Sequence, residues 1–182
     1  KLRIELFDAF NIKPDNLGYV DGQPIQEHQF SFQQSFFKLK KDVDWCLIGY
    51  FQTERYFKHI KDKVKEQFQF HQHIIDDCQS ILELFDNPVA LHIRRGDFLI
   101  NHANHNNLGV EYYFEALREF DDNRMVIIFS DDPEWCKEQP LFSDDRFLVA
   151  EGNDSYTDLC LMSLCSDFII ANSSFSWWGA WL

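Results

Sequence analysis

The hydrophobic pattern changes character near residue 45. From there on, short apolar runs alternate with longer stretches in which apolar residues recur every three or four positions. Trp45-Cys46-Leu47-Ile48-Gly49-Tyr50 reads as a buried strand, and the polar, amphipathic stretch at about 54–68 as a helix. Ile74, Ile75, Cys78, Ile81, Leu82 and Phe85 fall at helical spacing and predict a helix over 73–85. Asn87-Pro88-Val89-Ala90-Leu91 is an apolar strand entered from a Pro-marked turn, and it runs on to His92-Ile93-Arg94. A polar loop at 101–107 precedes a helix over 110–120 and a strand over 125–129. Asp132-Pro133-Glu134 then opens a short helix, with an acidic N-cap and proline at its first position. Further on come a strand at 147–149, a helix over 156–166 and a strand over 168–171, after which Ser173 or Ser174 caps a last helix. Residues 1–44 are less patterned: 25–37 mixes Gln and Phe and suggests an irregular strand. Alternating strands and helices predict an α/β fold, a Rossmann-like doubly wound parallel sheet.

Composition narrows the class. With 45% hydrophobic and 26% charged residues over 182 positions, the chain can bury a core and is globular, not disordered. Its 19 phenylalanines are read mainly as core, although aromatic rings also suit sugar faces. A formal charge of -13 argues against nucleic acid and against an anionic membrane surface. No apolar run approaches the roughly 20 residues that span a bilayer, and Lys1-Leu2-Arg3-Ile4-Glu5 does not begin a signal peptide. Cys46, Cys78, Cys136, Cys160 and Cys165 are scattered and mostly sit among apolar residues, as reduced thiols of a cytoplasmic protein do. Asn153-Asp154-Ser155 and Asn172-Ser173-Ser174 fit the glycosylation pattern, which means little without a secretory signal.

The candidate chemistry lies where strands end. Arg94 and Arg95 leave a strand together, and two permanent charges there are costly unless something anionic pairs with them. Carboxyl ends of parallel strands are where open α/β sheets bind ligands, so the arginines suggest a diphosphate site. Three exits carry polar groups that would share one sheet edge: His92 to Asp97, Ser130-Asp131-Asp132, and Asn172-Ser173-Ser174. Arginines make fork-like contacts to phosphate oxygens. The helix after Asn172 offers N–H groups and hydroxyls to an anion. Asp131 or Asp132 can accept two hydrogen bonds from a guanine edge, and His92 can also reach the base.

His92-x-Arg94-Arg95-Gly96-Asp97 resembles the motif of the α-1,2-fucosyltransferases, glycosyltransferase family 11. Ser173-Ser174-Phe175-Ser176-Trp177-Trp178-Gly179 is similar to the family's C-terminal motif, and Gly49-Tyr50-Phe51-Gln52 with Tyr56-Phe57 and Phe129-Ser130-Asp131-Asp132-Pro133 also look like family segments, in the family's order. The resemblance spans roughly 49–182. It implies a GT-B-type fold whose C-terminal half holds GDP-fucose, with a galactoside-terminated glycan as acceptor and no metal or other cofactor. The donor-binding residues it implies are His92, Arg94, Arg95, Asp131, Asp132, Asn172, Ser173, Ser174 and Phe175. Its implied reaction moves L-fucose from GDP-β-L-fucose to the 2-hydroxyl of a terminal galactoside, with inversion. Arg94 stabilises the leaving group and Asp97 is the nearest base or acceptor-orienting group, ahead of His102 and His105. Ser166-Asp167-Phe168 departs from the family, which often carries a basic residue or His followed by Asn there.

Family members usually open with a Gly-rich strand-loop-helix that is not matched here, and the chain stops inside an apolar run at Trp181-Leu182. It therefore reads as an internal fragment: 1–86 a remnant of the acceptor-side region and inter-domain helices, 87–182 a GDP-sugar-binding domain truncated at its C-terminus. A bacterial-type cytoplasmic enzyme, peripheral to the membrane at most, is expected. Alternative readings are a non-catalytic nucleotide-sugar or glycan-binding module, or a fucosyltransferase acting on a peptide or N-glycan core. Among individual residues, the arginines have a salt-bridged structural alternative, Arg95-Gly96-Asp97 an adhesion-tripeptide one, and His71/His73 and His102/His105 a metal-ligand one without an evident partner set. Trp177 and Trp178 suit packing better than sugar contact, and Asp158 and Asn172 fit core or site roles equally.

Overall fold

A computed structural model describes residues 6–13, 21–101 and 106–182. The chain divides into two compact units, Lys1–Gln69 and Phe70–Leu182. Among the described residues no helix is long and apolar enough to cross a membrane.

In the first unit, a short helix α1 (Leu6–Ala9) precedes strand β1 (Gln23–Gln26), which pairs in parallel with β2 (Trp45–Ile48). The irregular strand expected over 25–37 is confined to β1, and Gln34–Lys38 is a 3-10 turn. The expected helix at 54–68 is also broken, into 3-10 turns at Glu54–Tyr56 and Lys58–Ile60 followed by α2 (Lys61–Gln67). Aromatic packing accounts for both departures. The Tyr56 ring lies against Phe32, Phe36 and Phe51 at centroid distances of 5.0, 6.0 and 5.2 Å. Satisfying these contacts takes Phe57 and Ile60 out of helical backbone, at φ -128° and -124°.

The second unit begins with α3 (Gln72–Leu82), placed by the sequence with the first segment but packed here against a helix of its own unit. Then follow β3 (Val89–Ile93), α4 (Val110–Leu117), β4 (Val126–Ser130), α5 (Pro133–Glu138), β5 (Phe147–Val149), α6 (Ser155–Ser163), β6 (Asp167–Ile169) and α7 (Ser174–Trp181). The helices α3 and α4 end about three residues before the hydrophobic pattern does. Their last turns tighten to i→i−3 bonds, such as Phe85 N–H to Leu82 O and Phe120 N–H to Leu117 O.

The four strands of this unit are all parallel, in the order β5-β4-β3-β6. Side chains alternate between the faces. Val89, Leu91 and Ile93 of β3 and Val126 and Ile128 of β4 bury one face against Tyr113 and Leu117 of α4 and Cys136 of α5. The opposite face takes His92, which meets Phe175 at the start of α7, while α6 packs between α3 and α7. Helices thus cover both faces, and the sheet is doubly wound. The chain steps outward from β3 to β4 to β5 and then returns to lay β6 on the other side of β3. The reversal places a topological switch point at the carboxyl ends of β3 and β6, where such sheets form a ligand crevice.

Candidate functional site

Register brings two of the three polar exits together. Ile93 pairs with Ser130, so the residues after β3 emerge beside those after β4. Arg94 reaches both neighbours: one nitrogen lies 2.6 Å from Asp97 Oδ1 and the other 2.9 Å from Asp131 Oδ2. Arg95 donates its backbone N–H to Asp131 Oδ1 at 2.9 Å and its Nε–H to Asp132 Oδ2 at 2.9 Å. Its guanidinium also stacks on the Trp135 ring, 3.9 Å from the centroid. Two arginines are therefore held by three carboxylates.

Each carboxylate has a distinct local reason for its place. Asp132 is the N-cap of α5 and accepts the Trp135 N–H at 3.3 Å, while its own N–H goes to Ser130 Oγ at 3.0 Å. The Arg95 hydrogen bond holds the Asp132 carboxyl below its ordinary range. Asp131 uses one oxygen for each arginine, so a guanine edge would meet a carboxylate already engaged. A Cβ at Gly96 would run into Asp131 Oδ2, so a larger residue there must displace that carboxylate. Asp97 opens the 3-10 turn Gly96–Leu99 and is the most exposed of the three, at 64%. The Arg95-Gly96-Asp97 tripeptide is thus built into the ion-pair cluster.

The third exit lies across the switch point. Ser173 caps α7, its hydroxyl accepting the Phe175 N–H at 3.3 Å, and Ser174 is exposed in the first turn. Asn172 is exposed and donates its amide to Asn106 O at 2.9 Å. His92 is buried beneath, 5.3 Å centroid to centroid from Phe175, and its Nδ1 has no hydrogen-bond partner among the described residues. Burial pushes its pKa down to about 4, so the ring is neutral near pH 7.

Beside Ser130, already visible at its strand exit, three further residues shape the site, Trp135, Tyr112 and Tyr113, although nothing in the sequence sets them apart from packing positions. Trp135 carries the Arg95 stack, and Ser130 ties down Asp132. Tyr112 donates its hydroxyl to Ile170 O at 2.7 Å, fixing the chain just after β6. Tyr113 is fully buried on the α4 face, its hydroxyl without a hydrogen-bond partner among the described residues, and burial pushes its pKa up.

Other candidates fall elsewhere. Trp177, Trp178 and Trp181 contact one another at 5.0 to 6.1 Å, as packing residues do. Asp158 accepts a hydrogen bond from Asn153, and burial raises its pKa. His71 and His73 stack at 5.9 Å, and among the described residues no group of three or more His, Cys, Asp or Glu is placed to hold a metal ion. His102 and His105 lie outside the described residues. Cys46 is exposed, and the other four cysteines are buried free thiols.

Comparison with known proteins agrees with the motifs. The O-antigen biosynthesis glycosyltransferase WbnK of Escherichia coli is 34% identical over 160 residues, covering 80% of this chain and 53% of that protein. An alpha-1,2-colitosyltransferase of Escherichia coli is 41% identical over 146 residues, covering 74% of this chain and 50% of its own. The human galactoside alpha-(1,2)-fucosyltransferase 1 is 25% identical over 154 residues, covering 75% of this chain and 42% of its own. The chain spans about half the length of the curated relatives it matches. A crystal structure of POFUT1 in complex with GDP aligns with a TM-score of 0.49 at 14% identity, over 77% of this chain and 61% of that one. The profile of Glycosyl transferase family 11 matches residues 26–182, a span that holds the arginine cluster, the α7 cap and the parallel sheet joining them, and the chain belongs to that family.

Proposed function

We propose that the enzyme containing this chain transfers L-fucose from GDP-β-L-fucose to the 2-hydroxyl of a terminal galactoside, with inversion, and that the second unit binds the donor. The observation that carries this reading is the pair Arg94 and Arg95 at the carboxyl end of β3, beside the switch point and the start of α7. A diphosphate entering there exchanges the exposed Asp97 for a phosphate oxygen on Arg94, while Asp131 keeps the loop in shape. Ser173, Ser174 and the first N–H groups of α7 offer further donors to phosphate. His92 and Phe175 form the wall nearest the base, and Asn172 borders the same crevice. As the glycosidic bond breaks, charge builds on the departing GDP and the arginines stabilise it, so chelation should leave turnover unchanged. In this reading Asp97, released from Arg94, orients or deprotonates the acceptor hydroxyl.

A second reading keeps the architecture and changes the sugar. It is favoured by the 41% identity to an alpha-1,2-colitosyltransferase, against 25% to the human fucosyltransferase. Donor competition separates the two. Turnover by the intact enzyme with GDP-fucose, and none with a colitosyl donor, supports the first. The reverse preference overturns the fucosyl assignment and leaves the glycosyl transfer.

A further inference from the structure

Arg124, Arg94 and Arg95 sit at the ends of strands β3 and β4 and are held in different ways. Arg124 spends every guanidinium nitrogen on the protein: Nε and one terminal nitrogen go to Asn87 O, and the other lies 2.6 Å from Asp167 Oδ2. Arg94 has each terminal nitrogen on a carboxylate, Asp97 or Asp131. Arg95 differs. Its Nε–H bonds Asp132 Oδ2 at 2.9 Å, and neither terminal nitrogen has a hydrogen-bond or ion-pair partner among the described residues. That leaves its terminal N–H donors unspent, on a side chain that is only 22% exposed.

Trp135 fixes the direction of that unspent edge. Its ring stacks on Arg95, with Cζ 3.9 Å from the centroid. Guanidinium N–H groups lie in the plane of the group, so a ring on its face holds it without taking a donor. The ring is itself held in place. The Trp135 N–H bonds Asp132 Oδ1 at 3.3 Å, and Trp135 O accepts from Gln139 Nε2 at 2.8 Å. Asp132 therefore bonds both the backbone of Trp135 and the Nε of Arg95, and the stack closes the loop. A loop that only packed Arg95 away would use up its terminal nitrogens, as happens at Arg124. The cluster sets three carboxylates against two arginines, so its attraction for an anion depends on where N–H donors point, not on net charge.

We propose that Trp135 is a positioning residue for the diphosphate of the donor. Its ring holds the Arg95 guanidinium flat, so that the paired terminal N–H groups face phosphate oxygens in a fixed fork. Arg95 is then the contact that stands ready, and Arg94 the one that first gives up a carboxylate. The inference rests on the proposed function, which brings a diphosphate to this edge. Trp135 also packs against the core, so the effect of its ring on Arg95 has to be separated from the effect of its bulk. Leucine keeps an apolar side chain against that core and lacks the ring.

The test measures Kd for GDP, ADP and inorganic pyrophosphate by isothermal titration of the intact enzyme. The variants are Trp135→Leu, Trp135→Phe, Arg95→Ala and the double variant of Trp135→Leu with Arg95→Ala. Trp135→Leu should weaken GDP and pyrophosphate about fivefold, as the loss of a partly desolvated cation–π contact implies. Trp135→Phe keeps a ring face and should stay within about twofold of wild type. With Arg95 already alanine, removing the ring should change neither Kd by more than about twofold, because Trp135 acts only through that guanidinium. Trp135→Met takes the place of the leucine variant if that one does not fold. Wild-type affinity in the ring-free variant overturns the inference. So does an equal loss in both arginine backgrounds, which is what a packing residue would give. Either result leaves the donor reading standing. If pyrophosphate binding shows the coupling but the enzyme does not prefer GDP to ADP, the positioning role stands and the GDP-sugar reading fails. Binding of neither GDP nor pyrophosphate to wild type overturns both.

Discussion

Replacing Arg94 with alanine separates a binding role from a packing role. Its guanidinium is paired with Asp97 and Asp131, and its side chain is 32% exposed. Partly solvated ion pairs of this kind contribute about 1 kcal/mol or less each. For a chain of this size each kcal/mol moves the melting temperature by roughly 2–4 °C, so the variant should melt only a few degrees below wild type. Loss of a charged hydrogen-bonding partner of a phosphate costs more, on the order of 2–5 kcal/mol. In Kd that is about 30-fold to several thousand-fold. Arg94→Lys should recover little of it, because a point charge lacks the guanidinium fork. Isothermal titration with GDP-fucose, paired with thermal melts, checks both numbers. Binding within twofold of wild type in Arg94→Ala would refute the donor assignment. A melting-temperature loss as large as the binding loss would point to a structural arginine instead.

Three further outcomes follow from the same geometry. His92 has its folded pKa depressed from 6.5 to about 4, so the unfolded state binds the extra proton between these values and stability falls as pH drops through that window. His92→Phe should remove about 2 kcal/mol of that loss, read as urea unfolding at pH 7 and pH 4.5; equal pH slopes in both proteins would refute it. Gly96→Ala forces the Asp131 carboxylate off Arg94 and should weaken GDP-fucose binding about tenfold with little change in melting, whereas unchanged affinity would show that the crowding is relieved elsewhere. Asp132→Ala removes the cap of α5 and should cost about 0.5–2 kcal/mol of stability while leaving preference for GDP over ADP intact; a lost base preference would make Asp132 the guanine reader.

The second unit was largely legible because its central strands β3 and β4 are short apolar runs buried on both faces and its helices keep a helical period. Leu91 and Ile128 needed only a core to fall into. The helix ends were overread because Phe85 and Phe120 continue the apolar pattern through turns whose bonds are already i→i−3. In the first unit only the strand at Trp45 and part of the helix at 54–68 were legible, and that strand is mostly exposed instead of buried; the rest takes its order from rings far apart in sequence, Phe32, Phe36, Phe51 and Tyr56, which mark no periodic face. At the site, the strand exits were visible as a class, but their partners were not. Only the register of Ile93 with Ser130 brings Asp131 and Asp132 onto the arginines, and a sequence does not display strand neighbours. For the same reason Trp135 passed as a helix residue, although its ring carries the Arg95 stack.

The central claim is that this chain supplies the donor half of an inverting α-1,2-fucosyl transfer. Incubating the intact enzyme with GDP-β-L-fucose and lactose, and solving the product by NMR, tests it most directly. One new fucosyl residue should form, α-linked to the 2-hydroxyl of galactose, at the same rate with and without a chelator. A β-linked product, attachment at another hydroxyl, or no transfer from GDP-fucose by an enzyme that binds it would contradict the account.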